Sequence, residues 1–525
     1  MPIPLQVVKC YKYIDSQQKQ FIEELRELVK IPNVSSSSEA RKYVDSAIKW
    51  LQARLVRTGF SVELKNTDNK VLPELLSISQ TNIPPVILAT LGNDRRKKTL
   101  LYYCHLDVFK VQSDKWGADP FVLREEKNGK LYGRGTAKMK GPLLCFLHAV
   151  DTYQALEINL PINIKIICGQ VSLLKSMNEC KSLGLADMLQ SLRTGFLTNI
   201  DCMLMTDGQW TGITYPCILY ACRGVCYFNL SIEGLTEDLN SGEYGGVVQE
   251  PLQDLIYIVN HLVDKSGTLV IPGLDKDMVQ VTPDEEKIYS QLKLNIQEYK
   301  KDSGIRKLSH DTSLSQSLMH AWRYPSFNLH YVNTLPPCDC PVNLKIPKTA
   351  QARFSIRYEV ENLCDIPNKI WVLVYTSLDF YTIILMQLYA YLKRIVPDQT
   401  PKKVCRLICD HLNKVLKLRN SPNRARLRME DSLRPWIADH RHWSYEAAKN
   451  ASKQVYKDPA NLVREGNAYP ALLEFQQIMP KTNILLLPLV SGDANINKDE
   501  ECITLRCYME GTKLIANYFY NLSIC

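Results

Sequence analysis

The chain has 525 residues, 45% of them hydrophobic and 23% charged, with a formal net charge of +9. This is ordinary globular composition with room for two or three domains. Lysines and arginines are spread along the chain; the short run Asp94–Lys98 reads as a solvated loop, and no motif supports nucleic-acid binding.

The 17 cysteines follow no C-x-x-C spacing and sit in apolar segments, where a free thiol behaves as a small core residue. With no signal-peptide pattern at the N-terminus, the expected home is reducing and cytoplasmic.

Helical periodicity opens the chain in QFIEELRELVKI and ARKYVDSAIKWLQARLVRTGF, the second stopped by Gly59. Strand-like runs follow: SVELK, PPVILATLG and KTLLYYCHLDV. The last is almost continuously apolar, as expected of a strand buried on both faces. LPINIKIICGQ and DCMLMTDGQ repeat the design, with a helix predicted in GPLLCFLHAVDTYQAL.

This alternation predicts an α/β fold, a mixed and mostly parallel sheet flanked by helices, with functional residues at the carboxyl ends of its strands. From about Tyr215 the pattern changes. ILYACRGVCYFNLSIEG reads as one long strand, PLQDLIYIVNHLVDK as an amphipathic helix, QARFSIRYE as a strand and PKKVCRLICDHLNKVLKL as a helix. We therefore expect an α/β domain over 1–211, an inserted α+β lid over 212–434, and a return to the first domain over 435–525.

Two stretches carry the chemistry. In CHLDV, His105 and Asp107 stand two apart at a strand end and so share a face. Imidazole suits zinc, and a neighbouring carboxylate orients it. In YGRGTAKMKGPLL the glycines mimic a phosphate loop, but the spacing fits neither nucleotide-binding motif.

The stretch from Cys104 to Pro142 resembles the metal-site region of the aminoacylase, carboxypeptidase and carnosinase metallopeptidases. The whole chain is similar to the branch of cytosolic non-specific and carnosine dipeptidases, through KLYGRGTAKMKGP, DLNSGEYGG, AWRYPSFNLH, FSIR, REGNAYP and MEGTKL. The resemblance implies a catalytic domain binding two zinc or manganese ions, a lid that makes a homodimer, and hydrolysis of dipeptides.

Carried over position by position, it makes His105 and Asp207 remnant metal ligands, with Asp107 in an orienting role. Arg357 and Glu465 would hold the substrate's ends. Elsewhere the chain departs from the pattern. Lys138 occupies the bridging aspartate's position, Ser172 the general base's, and Leu173 and Asn497 two further ligand positions. Asn240 replaces the lid histidine, and Ala468 a serine. Losing one catalytic group typically costs about 10²–10⁴-fold, so these replacements together predict an inactive paralogue without a cofactor.

Two other functions stay open: a hydrolase with a rebuilt mononuclear zinc or manganese site, and a homodimeric protein that binds peptides or amino acids without cleaving them. A lysine at the bridge predicts a salt bridge from Lys138 to Asp207 or Asp107 that replaces the metal's charge. Residues near 358–394 lie outside the resemblance. Their apolar centre is as long as a bilayer span, but Asp379 in its middle argues against one.

Overall fold

A computed structural model describes residues 3–34, 42–66, 84–111, 115–169, 185–274, 281–294, 296–309, 313–334, 344–359 and 401–525. Most of the segment near 358–394, together with Ser172 and Leu173, lies outside the described residues.

Among the described residues the main sheet has nine strands. Strand Thr99–His105 lies inside it, parallel to Asn163–Gly169 on one side and Cys202–Met205 on the other. Strand Asn483–Leu486 continues the parallel set beyond Cys202–Met205. Antiparallel strands Val86–Leu91 and Ser61–Lys65 complete one side. On the other, Cys217–Cys222 meets Asn483–Leu486 and also pairs with Trp436–Ile437 and Asn461–Glu465.

The central strand is buried along its length until His105, which fits its continuous apolar run. Helix Lys140–Ala155 is buried on nearly every side, and Phe146 stacks on Tyr102 of the central strand (centroids 3.9 Å apart). Helix Leu505–Ile524 packs beside it, with Phe519 edge-on to Phe146.

A second sheet is antiparallel in the order Ser326–Thr334, Thr349–Tyr358, Gly224–Glu233, Arg424–Leu433. Its inner face, with Phe228, Leu230, Phe354 and Ile356, packs on helices Pro251–Asn260 and Pro401–Arg419 to form a separate core. Tyr289, Leu318 and Trp322, from the segment between the lid strands, instead join the core of the main sheet.

ILYACRGVCYFNLSIEG is not one strand. It breaks at Arg223, leaving Cys217–Cys222 in the main sheet and Gly224–Glu233 in the lid. Gly224 makes the step possible: a Cβ there would lie 2.7 Å from Pro435 Cδ and 2.8 Å from the Leu433 carbonyl oxygen. Both halves are apolar, so periodicity could not show the break.

No helix among the described residues is long and apolar enough to cross a membrane.

Candidate functional site

The parallel strands place the site. Strand Thr99–His105 ends on His105, strand Cys202–Met205 is followed by Asp207, and helix Lys140–Ala155 begins after the glycine loop. His105 Nδ1 and Asp107 Oδ1 are 2.8 Å apart, with Asp107 buried. The two side chains thus meet on one face of the strand end, the contact that a two-residue spacing allows. Asp207 is also buried, and its Oδ1 accepts the Gly208 N–H at 2.8 Å.

The loop from Tyr132 to Gly141 is held by a clamp that the sequence did not reveal. Glu501 reaches in from beyond the 491–500 loop, and its Oε1 accepts the backbone N–H groups of Ala137 and Lys138, each at 3.1 Å. Its Oε2 pairs with Arg134 at 3.0 Å, and both side chains are buried. Gly141 is required by space, since a Cβ there would fall 2.1 Å from the Thr136 carbonyl oxygen. Lys140 is fully buried and donates to the Ile31 carbonyl at 2.8 Å; burial pulls its pKa down to about 7.

Lys138 departs from expectation. Its ammonium lies 5.7 Å from the centre of the Phe109 ring, and among the described residues no ion pair joins it to Asp107 or Asp207. The four-carbon stem brings the charge toward an aromatic face, where a cation is also favoured.

The second half of the site surrounds Glu465. Burial pushes its carboxyl up to about 7, and the charge of Asp207 adds to the rise, against the pull of the Asn467 backbone N–H, Arg357 and Arg223. Arg357 Nη1 donates to the Gly466 carbonyl at 2.8 Å, which ties the lid to this loop. Arg223 is buried; its Nη1 donates to the carbonyls of His320 and Tyr324 and to Ser326 Oγ at 2.9–3.1 Å. Tyr469 reaches across to the Asp207 loop, its hydroxyl 2.9 Å from where a Cβ on Gly208 would stand. Burial first, and the charges of Glu465 and Asp207 next, keep that hydroxyl protonated.

Arg223 and Tyr469 escaped the sequence analysis. An arginine interrupting an apolar run was the available signal for the first, and nothing local marked the second.

The remaining positions are less central. Asn240 caps the short helix Ser241–Tyr244, its side chain accepting the Gly242 N–H at 2.8 Å. Asn497 has left-handed backbone, φ 62°, in the loop that supplies the Lys498 carbonyl to Arg134. Ala468 packs near Val225 and Leu433.

The profile of peptidase family M20/M25/M40 matches residues 101–521. The chain belongs to this family. Among M20 relatives, the human Beta-Ala-His dipeptidase is 32% identical over 526 residues, covering 99% of this chain and 94% of that protein. The Cys-Gly metallodipeptidase dug1 of Schizosaccharomyces pombe is 30% identical over 521 residues and 98% of both chains. The crystal structure of human carnosine dipeptidase 1 superposes with a TM-score of 0.80 at 31% identity over the full length of both chains. The Saccharomyces cerevisiae dipeptidase Dug1p gives 0.78 at 29%, covering 99% of each. The M20 metallodipeptidase fold thus carries this site.

The donor set does not fit the two zinc or manganese ions that the family resemblance implies. Among the described residues no group of three His, Cys, Asp or Glu side chains could hold a metal ion. The bridging position carries an ammonium instead of a carboxylate, and a two-metal centre needs the bridge.

Proposed function

We propose that this chain is a non-hydrolysing M20 dipeptidase paralogue that holds the ends of small peptides or amino acids. Lys138 carries the proposal. A cation at the bridging position repels the ions that family chemistry uses, and Leu173 and Asn497 offer nothing to replace the missing ligands. Ser172 stands at the base position, and a serine hydroxyl without an activating partner is no general base.

Binding is supported by what remains around Glu465. Arg357 presents a planar fork to a carboxylate, and Glu465 presents a partly dehydrated acceptor to an α-ammonium. The names of the dipeptidase relatives point to ligands of that size. Titration calorimetry with a dipeptide panel tests this: Arg357→Ala should weaken binding at least about tenfold, the scale of one charge-assisted hydrogen bond. Unchanged affinity would remove Arg357 from the site.

The same proposal includes a cytoplasmic homodimer formed through the lid. Tyr244, Val247 and Ile256 are exposed on the lid, with Val247 at 77%. Light scattering at micromolar concentration should give the dimer mass; a monomer alone would count against the assembly.

A further inference from the structure

The lid sheet buries one face on its two helices; the other is exposed where it carries Arg424, Arg426 and Arg428, and buried at Ser355, Asp431, Val225 and Leu433 toward the Gly466 loop. On the open face, residues alternate along each strand with those of the core. Arg357 stands at one end of this face, where it meets the Gly466 loop. Two rows further along the sheet, Arg353 lies across from Asn229, which lies across from Arg428. The next row is Gln351, Ser231 and Arg426, and the last ends on Glu233 and Arg424.

Five arginines therefore share the face with Glu233, Glu430 and the buried Asp431. The ion pairs that link them are loose: Arg353 to Glu430 at 3.8 Å and Arg426 to Glu233 at 3.9 Å. Arg426 keeps 76% of its side chain exposed and Arg353 42%.

The edge strand and the residue after it add to this: from Arg424 to Arg434 four arginines stand against Glu430 and Asp431. A concentrated field of this kind raises the local concentration of anions and speeds their capture.

We propose that the open face of the lid sheet extends the Glu465–Arg357 site into a groove for acidic peptides, so that the preferred ligand is longer than a dipeptide and rich in Asp or Glu. This rests on the carboxylate-holding role proposed for Arg357.

The spacing fits an extended chain. Arg353 precedes Arg357 by four residues, about 13 Å along the strand, and Arg428 lies about 10 Å across two strand gaps. An extended peptide advances about 6.8 Å per two residues. With its terminal carboxylate at Arg357, an acidic side chain about four residues upstream meets Arg353, and residues beyond it meet Arg428 and Arg426. Asn229, Ser231 and Gln351 between them supply hydrogen-bonding groups for the peptide backbone. Bidentate pairing with carboxylates is the chemistry arginine performs best.

Fluorescence polarisation with a labelled hexaglutamate peptide tests the proposal, with hexaserine, hexalysine and a single-stranded RNA hexamer as controls. The parent protein should bind hexaglutamate at least about tenfold more tightly than hexaserine, and progressively less tightly as salt is raised. The charge reversal Arg424→Glu/Arg426→Glu/Arg428→Glu lies on the surface and should preserve the circular dichroism spectrum. It should weaken hexaglutamate at least about tenfold while leaving dipeptide affinity unchanged. Equal affinity for hexaglutamate and hexaserine, or an undiminished triple variant, overturns the groove. RNA binding tighter than hexaglutamate and sensitive to the same reversal overturns the choice of peptide. Failure of Arg357→Ala to weaken a dipeptide strikes the Arg357 role instead, so the two failures are separable.

Discussion

Glu501 gives the sharpest test of how the glycine loop is held. Its carboxylate receives two backbone N–H groups and one guanidinium, and both Glu501 and Arg134 are buried. Glu501→Gln keeps the shape and one acceptor oxygen but turns an amide N–H₂ toward Arg134. The guanidinium is then left charged, buried and unpaired, apart from its bond to the Lys498 carbonyl at 2.8 Å. Breaking one partner of a buried pair costs about 3–5 kcal/mol. The double variant Arg134→Met/Glu501→Gln removes the orphaned charge and should recover at least half of that loss, giving a coupling energy above about 1 kcal/mol. Urea unfolding followed by fluorescence measures the stabilities, and hydrogen exchange of the amides in 133–140 reports the loop directly. Glu501→Gln within about 0.5 kcal/mol of the parent, or additive single and double variants, would refute the clamp.

Three further outcomes follow from the site. Glu465 has a folded pKa of about 7 against an ordinary 4.5, so its neutral form is favoured in the fold and its contribution is lost as pH rises through that window. Glu465→Gln should therefore gain on the order of 2–3 kcal/mol over the parent at pH 8 and almost nothing at pH 4, by urea unfolding at each pH; a constant difference would contradict the assignment. Gly141→Ala should be severely destabilising by the same measurement, because its Cβ falls 2.1 Å from the Thr136 oxygen, and a near-neutral effect would show that the loop relaxes. Lys138→Met should lie within about 0.5 kcal/mol of the parent, because no ion pair is lost; a large fall would revive the bridge to Asp207.

How legible was this molecule in its sequence? The buried strand ending on His105 was plain, because the unbroken apolar run from Leu100 to Cys104 leaves few other options. The His105–Asp107 pair was equally plain, since a two-residue spacing at a strand end fixes the shared face. Long-range partners were not. Glu501 is more than 360 residues from Arg134, and no local pattern joins them.

Lys138 shows a second limit. Its position could be carried over from the family, but the direction of a flexible side chain is set by neighbours such as Phe109. Arg223 shows a third: the chain steps from one sheet to another within a run whose periodicity does not change. Asn240 was legible as a lost histidine but not as the helix cap it is.

The central claim is that the family's metal chemistry is absent from this chain. Metal analysis of the purified full-length protein after incubation with zinc and with manganese, combined with hydrolysis of Cys-Gly and β-Ala-His on the same sample, tests it most directly. We expect no stoichiometric metal and no turnover above the uncatalysed rate. Near two metal ions per chain with hydrolysis of either dipeptide would contradict it.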